Sequence, residues 1–323
     1  MAQRVYRFDG QSLKVFQTGA QHQMLKWQIR IAANSLKACV PFQAKLRRLK
    51  HSIKPPVPGR HHELVLDGIF EQVSMIRQAG GRIEGARVLE IGSGWIPVAP
   101  LIYRIAGARE VVLSDQHRLL HPRSVQAAVA FLRKRTSRLA RELDVDEARV
   151  SEVLDVPMSG RLSSMLEALG LRYVVPLNGE TLKGEIDIAY THTVLEHIPP
   201  EALTEVFALV RTRLGKGGVF CNGIDNSDHR RSYDEGLSTV DFLSYSDFAW
   251  DMQCINPQDY TNRLRHSDYI CLLTETGFKL LNTQVHIAKD AMAKIEPQKL
   301  PQRFRNKTAE DLCTTWSLIL ARA

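Results

Sequence analysis

Cysteine is scarce in this sequence, and long hydrophobic runs are missing. The five cysteines are odd in number and form no Cys-x-x-Cys pair, which argues against a disulfide framework and a structural zinc site. No apolar run approaches the roughly 20 residues that a membrane-spanning helix needs, and the N-terminus has no apolar segment typical of signal peptides. We therefore expect a protein of the reducing cytosol.

Acidic residues are nearly absent from the first 60 positions, where Asp9 stands against twelve lysines and arginines. The whole chain of 323 residues has a net charge of +8, so the remainder is slightly negative. Because the basic residues are concentrated at one end, nucleic-acid binding by the rest of the chain is not expected.

A Pro-rich break over residues 55–59 predicts a boundary between two regions. Residues 1–58 are predicted to form a basic, helical extension, and residues 59–323 the main domain. Three roles stay open for the extension. The first is peripheral contact with an anionic inner membrane surface, and the second is binding of an anionic partner or nucleic acid. The third is packing on the main domain with a solvated basic face.

Short apolar runs alternate with helical patterns in the main domain. Strands are predicted at residues 87–91, 110–114, 171–175, 186–190 and 219–224, with closing strands in 278–287 and 314–321. Strands separated by helices indicate an α/β fold with a doubly wound, mostly parallel, seven-stranded Rossmann-like sheet. Residues 225–266 are predicted to be an insert that forms a lid on the substrate side.

The segment from Val88 to Gly94 runs from an apolar strand through Glu90 into a glycine turn. Glycines there let the backbone approach a cofactor closely, because no β-carbon intervenes. Asp115 ends the next apolar run, near the spacing at which a carboxylate binds a ribose. Pro97 takes the place of the third glycine of a dinucleotide motif, which argues against a nicotinamide cofactor.

These motifs, together with the Ile186–Ile198 segment and the glycines before residue 219, resemble the class I S-adenosylmethionine-dependent methyltransferases. Within that class the sequence is most similar to the "type 11" small-molecule methyltransferase domains. The resemblance implies S-adenosylmethionine as cofactor. It assigns the cofactor contacts to Glu90, Gly92, Ser93, Gly94, Trp95, Asp115, Gln116, Thr191 and His192.

A methyl acceptor with a hydroxyl group needs a general base, which is usually a histidine or a carboxylate. His229 is the predicted base, and Asp228 or Asp225 is predicted to orient it or a substrate hydroxyl. Further substrate contacts are predicted at Asp225, Tyr260, Asn262 and Arg263. The same acids could hold a divalent cation, but nothing completes the shell, and no metal is predicted.

The sequence therefore predicts a methyltransferase that transfers a methyl group to a hydroxyl of a small polar or saccharide-like acceptor. Two alternatives remain. One is an RNA-directed methyltransferase that uses the basic extension, and the other is a cofactor-binding partner protein without catalytic activity. The sequence indicates no oligomeric state.

Overall fold

The computed structural model describes residues 49–254 and 260–323. The predicted extension therefore lies outside the described residues except for 49–58. The first complete helix, α1 (His61–Gln78), buries the face that carries Leu66, Ile69 and Val73, as its apolar spacing predicts. Gly80, with a φ of 79°, follows its end and turns the chain toward the sheet.

The sheet has seven strands, as predicted from the sequence. They are β1 (Arg87–Ile91), β2 (Glu110–Ser114), β3 (Leu171–Val174), β4 (Ile186–His192), β5 (Leu214–Asp225), β6 (Lys279–Ile287) and β7 (Thr314–Arg322). Their order is β3-β2-β1-β4-β5-β7-β6. The first five strands pair in parallel, and β7 pairs antiparallel with both of its neighbours. The doubly wound, mostly parallel sheet is confirmed.

Ten further α-helices connect the strands in the described part of the chain. They are α2 (Val98–Ile105), α3 (Pro122–Arg133), α4 (Thr136–Leu143), α5 (Glu147–Leu154), α6 (Leu162–Ala168), α7 (Pro200–Arg213), α8 (Asp247–Gln253), α9 (His266–Glu275), α10 (Lys289–Met292) and α11 (Ala309–Leu312). The strand boundaries lie within two residues of the prediction except that β5 begins five residues earlier than predicted, at Leu214.

Alternating strand residues divide the core into two layers. Tyr190 and Val219 pack in the layer beneath α1 and α2. Their neighbours Ala189 and Phe220 pack in the opposite layer, with α7 and α9. This alternation decides which side chains at the strand ends face α1, and it places Glu90 and His192 on the same side of the sheet as Tyr190.

The segment between β5 and α9 has a small core of its own. Phe242, Leu243 and Trp250 pack there with residues that follow β6, among them Phe304. The cluster holds the segment against the carboxyl end of β5. In the described residues no helix is long and apolar enough to cross a membrane.

Candidate active site

The strand order reverses between β1 and β4, which are neighbours in the sheet although β2 and β3 lie between them in sequence. In open α/β sheets, the crevice outside the carboxyl ends of the strands at such a reversal is the usual ligand site. The glycine turn after β1 and the segment after β4 border this crevice. The topology therefore brings the predicted cofactor motifs to one place.

The two glycines of the turn have different functions. Gly92 has a φ of 79°, and a β-carbon there would lie 2.5 Å from Cγ2 of Val194. Gly92 is therefore required for packing against the segment after β4. Gly94 has a φ of 60°, and no atom lies within 4 Å of the position of its β-carbon. A cofactor can approach the backbone at this open position.

Asp115 connects the turn to the end of β2. Its Oδ2 accepts a hydrogen bond of 3.1 Å from the backbone N–H of Gly94, and its Oδ1 accepts one of 2.7 Å from that of Gln116. The backbone N–H groups of Gly92 and Ser93 donate to the carbonyl of Ser114 at 2.9 Å. The carboxylate remains partly exposed, so it can also accept hydrogen bonds from ligand hydroxyls.

Glu90 is buried beneath the turn with 5% of its surface exposed. Tyr190, which stacks on Tyr103, donates a hydrogen bond of 2.8 Å to Oε1 of Glu90. Oε2 of Glu90 has no hydrogen-bond partner among the described residues. Burial raises the pKa of Glu90 to about 7, although the Ser93 and Tyr190 hydroxyls oppose this. A buried carboxyl with one unpartnered oxygen, next to an open crevice, fits the ammonium group of S-adenosylmethionine.

We expect the affinity for S-adenosylhomocysteine to fall as the pH falls through about 7, by up to tenfold per pH unit. The carboxylate form of Glu90 attracts the ligand's ammonium, so this contribution is complete above the Glu90 pKa of about 7 and is lost below it. Calorimetry between pH 6 and pH 8 measures the effect. The ligand's own amine titrates equally in a Glu90→Gln variant, so a pH dependence that persists unchanged in that variant would contradict the assignment.

Trp95 follows the turn and contacts the start of the described chain. Its ring lies 4.3 Å from that of His51, centroid to centroid. The Ser124 hydroxyl donates a hydrogen bond of 2.7 Å to the carbonyl of Pro56. The last residues of the predicted extension thus contact Trp95, which follows the glycine turn, and the start of α3. The cofactor contact of Trp95 stays a prediction.

Thr191 and His192 end β4 on opposite faces of the sheet. The Thr191 side chain is fully buried, and its hydroxyl donates a hydrogen bond of 2.9 Å to Oδ1 of Asn222 on β5. Strand alternation turns the Thr191 side chain away from α1, and the cofactor contact of Thr191 stays a prediction. His192 lies on the α1 side and is partly exposed.

The predicted base lies one strand farther along the sheet. Nε2 of His229 is 3.3 Å from Oδ2 of Asp225, which is the last residue of β5. Burial lowers the pKa of His229, but the hydrogen bond and charge of Asp225 outweigh this and hold it above the usual value. The contact favours a proton on Nε2, which leaves Nδ1 as the proton acceptor of the neutral ring.

Glu196, in the Ile186–Ile198 segment, is a functional candidate that the sequence analysis did not assign to the site. It is buried with 2% exposure, and its Oε1 accepts a hydrogen bond of 3.4 Å from the backbone N–H of Asp225. Burial and the Asp225 charge raise the pKa of Glu196 to about 8. The neighbouring His197 lies 5.2 Å from His229, ring to ring.

Asp228 was predicted to be catalytic, and the structure corrects this. Its side chain is fully buried, and its Oδ2 lies 2.6 Å from Nη2 of Arg230 and 2.9 Å from the backbone N–H of Phe242. Its Oδ1 accepts 3.0 Å hydrogen bonds from N and Nε of Arg230. Both oxygens thus stabilise the insert, and Asp225 is the residue that contacts His229.

Two predicted substrate contacts also have structural roles. Nδ2 of Asn262 donates to the carbonyls of Leu195 and Ile198 at 2.8 and 2.9 Å, and its Oδ1 accepts from Leu264 and Tyr269. The Arg263 guanidinium is buried, donates to the carbonyls of Phe242 and Tyr245, and pairs with Asp247 at 2.5 Å. The Asn262 amide and the Nη atoms of Arg263 are thus engaged within the protein, which argues against these two predicted substrate contacts.

Tyr260 and Asp225 are the predicted substrate contacts that still border the site. The Tyr260 carbonyl lies 2.9 Å from Nδ1 of His197. Burial raises the pKa of the Tyr260 phenol to about 12, so it stays a hydrogen-bond donor. In the part of the chain that the structure describes, no group of three or more His, Cys, Asp or Glu residues could hold a metal ion.

The observed sheet order, the glycine turn after β1 and the acid at the end of β2 agree with the predicted resemblance. The described residues form a doubly wound, mostly parallel, Rossmann-like α/β fold. No protein-family model matches the sequence, and no curated protein is significantly similar to it.

The solved structures to which the chain is similar include the following three enzymes. A methyltransferase from Mesorhizobium loti is 13% identical, with a TM-score of 0.41 over 77% of this chain and 96% of that one. The magnesium protoporphyrin IX methyltransferase of Synechocystis, solved with bound S-adenosylhomocysteine, is 14% identical, with a TM-score of 0.42 over 90% and 99%. A cyclopropane synthase from Mycobacterium tuberculosis is 15% identical, with a TM-score of 0.43 over 78% and 83%.

Proposed function

We propose that this protein is an S-adenosylmethionine-dependent methyltransferase that methylates a hydroxyl of a small polar or saccharide-like acceptor. The observation that carries the hydroxyl assignment is the pair formed by His229 and Asp225 at the carboxyl end of β5. An imidazole oriented by a carboxylate is suited to remove a proton from a hydroxyl near neutral pH. The His229–Asp225 pair lies beyond β4, on the side of the crevice away from the glycine turn.

The cofactor is held, in this proposal, by the groups at the ends of β1 and β2. Glu90 meets the ammonium, Asp115 accepts hydrogen bonds from the ribose hydroxyls, and Gly94 offers open backbone. Ser93 and Gln116 border the same ligand, and Trp95 covers it. When bound, the sulfonium supplies the methyl group.

The acceptor side of the site then has two tasks. It aligns the acceptor oxygen with the methyl carbon, and most of the rate enhancement comes from this positioning. The neutral His229 ring takes the hydroxyl proton at Nδ1 as the new oxygen–carbon bond forms, and Asp225 stabilises the resulting imidazolium. Atoms and charge balance, because the new oxygen–carbon bond would replace the carbon–sulfur bond of the methyl donor, and the donor's positive charge would end as the proton on His229.

The basic extension supports the second candidate, an RNA-directed methyltransferase. Its positive charge also suits an anionic membrane surface, and we include this contact as a proposal. Salt separates RNA from small acceptors, because binding to phosphates weakens steeply with added salt.

The test of the proposed function is methyl transfer from radiolabelled S-adenosylmethionine to a panel of hydroxylated metabolites, sugars and total RNA. We expect label in base-stable, ether-linked methyl groups on a small hydroxyl compound, with turnover that changes little with salt. Label only in RNA, with a steep loss in salt, would favour the alternative. Cofactor binding without label in any fraction would favour the non-catalytic partner protein.

A further inference from the structure

Three side chains from three elements converge beside the crevice, at a point that the predicted base does not occupy. A β-carbon built on Gly223 of β5 would lie 3.1 Å from Cζ2 of Trp316, 3.2 Å from Nε2 of Gln72 and 3.2 Å from Nδ1 of His192. These residues belong to β7, α1 and β4. The absence of a side chain at Gly223 leaves room for them to meet.

Two polar atoms in this group have no hydrogen-bond partner among the described residues. Gln72 is fully buried, and its Nε2 donates a hydrogen bond of 2.7 Å to the carbonyl of Thr191, but its Oε1 accepts none. Nδ1 of His192 is also without a partner. A buried polar atom left unpaired costs about 1–3 kcal/mol, so such atoms indicate a ligand or an ordered water.

The position of the His192 ring depends on a glycine in the middle of α1. A β-carbon at Gly68 would lie 2.4 Å from Cε1 of His192, so even alanine would collide with the ring. On its other side the ring meets Trp316 edge-on at 5.4 Å between centroids. Glycine within a helix costs roughly 1 kcal/mol relative to alanine. Glycine at position 68 therefore lowers the stability of α1 but leaves room for the His192 imidazole.

The group carries no charge at neutral pH. Burial lowers the pKa of His192 to about 4, a shift that His61 reinforces and Asp225 opposes, so the ring is neutral. Gln72 and Trp316 are uncharged by nature. Because a buried ionic group needs a partner, this group of side chains disfavours a charged ligand and suits a hydroxyl. Trp316 is partly exposed, so its ring can also contact a ligand.

We propose that Gln72 and His192 form the subsite that hydrogen-bonds an uncharged, hydroxyl-bearing ring of the acceptor, with Trp316 as its apolar wall. Gly68 positions the His192 ring. The inference rests on the proposed function, and it moves His192 from the cofactor contacts predicted from sequence to the acceptor side. It adds Gln72, Trp316 and Gly68, which the sequence analysis did not single out.

Binding can be tested without turnover. Methyl α-glucoside and catechol serve as hydroxyl probes, added to full-length protein saturated with S-adenosylhomocysteine and labelled with ¹⁵N-histidine. We expect saturable shifts of the His192 imidazole nitrogens with at least one probe. No shift with either probe would overturn the subsite. Shifts in a protein that transfers no methyl group would refute the proposed function while supporting the subsite.

Variants separate the acceptor side from the cofactor side. His192→Asn keeps a polar atom near the position of Nδ1, whereas His192→Gln carries it farther out. We expect about tenfold weaker probe binding for His192→Gln, the equivalent of one hydrogen bond, and a smaller loss for His192→Asn. The affinity for S-adenosylhomocysteine should stay within twofold of the wild-type value in both variants. Weaker cofactor binding with unchanged probe binding would return His192 to the cofactor site.

The Gly68→Ala substitution should displace the His192 ring, lower the melting temperature and weaken probe binding about tenfold. Adding His192→Ala removes the collision, so the double variant should regain stability but not probe binding. Ser74→Ala, on the exposed face of α1, is the matched control. If the Gly68 and His192 variants bind both ligands like the wild type, the polar atoms hold a water and the proposal fails.

Discussion

Replacing Asp115 by alanine is expected to weaken S-adenosylhomocysteine binding by at least about 100-fold. The variant would lose the two charge-assisted hydrogen bonds that the carboxylate accepts from the ribose hydroxyls, each worth about 1.5–3 kcal/mol. It would also lose the 3.1 Å bond to the Gly94 N–H, which holds the glycine turn in shape. Titration calorimetry at constant pH measures the loss directly.

Asp115→Asn distinguishes the two contributions. An amide oxygen can still accept from Gly94, so the turn is preserved while the negative charge is removed. We expect an affinity between those of the wild type and the alanine variant. Asp155→Ala is the control, since Asp155 is exposed and pairs with Arg133 at the surface, where ion pairs contribute little. Wild-type affinity in a folded Asp115→Ala variant would remove Asp115 from the cofactor site.

Replacing His229 by alanine is expected to lower turnover by about 100-fold or more, the usual contribution of a general base. Cofactor affinity should stay within twofold, because His229 lies beyond β4, away from the glycine turn. His286→Ala is a suitable control, since His286 is an exposed histidine on the edge strand β6. Turnover close to that of the wild type would exclude His229 as the base.

The pH profile adds a second criterion. Asp225 holds the pKa of His229 above its usual value, so the ring of the free enzyme is protonated below that raised pKa and cannot accept a proton. We expect kcat/KM to rise with pH, with a midpoint above the usual pKa of a histidine. Asp225→Asn should shift the midpoint to lower pH, because the neutral amide no longer stabilises the imidazolium. A midpoint unaffected by Asp225→Asn would show that another group titrates.

Local signals predicted most of the fold. The 3.6-residue spacing of apolar side chains identified α1, and short β-rich runs bounded by glycine identified the strands within a few residues. The positions of Glu90, Gly94 and Asp115 at strand ends followed from the same patterns. These features depend on residues that are close together in the sequence, so they can be identified without knowledge of distant contacts.

The acceptor side was harder to predict for a physical reason. A polar side chain in a loop is available to a substrate only if no distant group already binds it. Asn262 is bound to carbonyls more than 60 residues away, and Arg263 to Asp247, 16 residues away. The sequence shows the chemistry of such residues but not their partners, and the structure decided that both are structural.

The sequence by itself determined the order of the strands along the chain, the glycine turn and the acids that accompany it. Only the tertiary structure decided which side chains at the strand ends face α1. It paired His229 with Asp225 rather than Asp228, buried Glu196 beside them, and placed His192 against Gly68 and Trp316. Periodicity is a local property of the chain, whereas burial and hydrogen-bond partnership depend on residues that meet only when it folds.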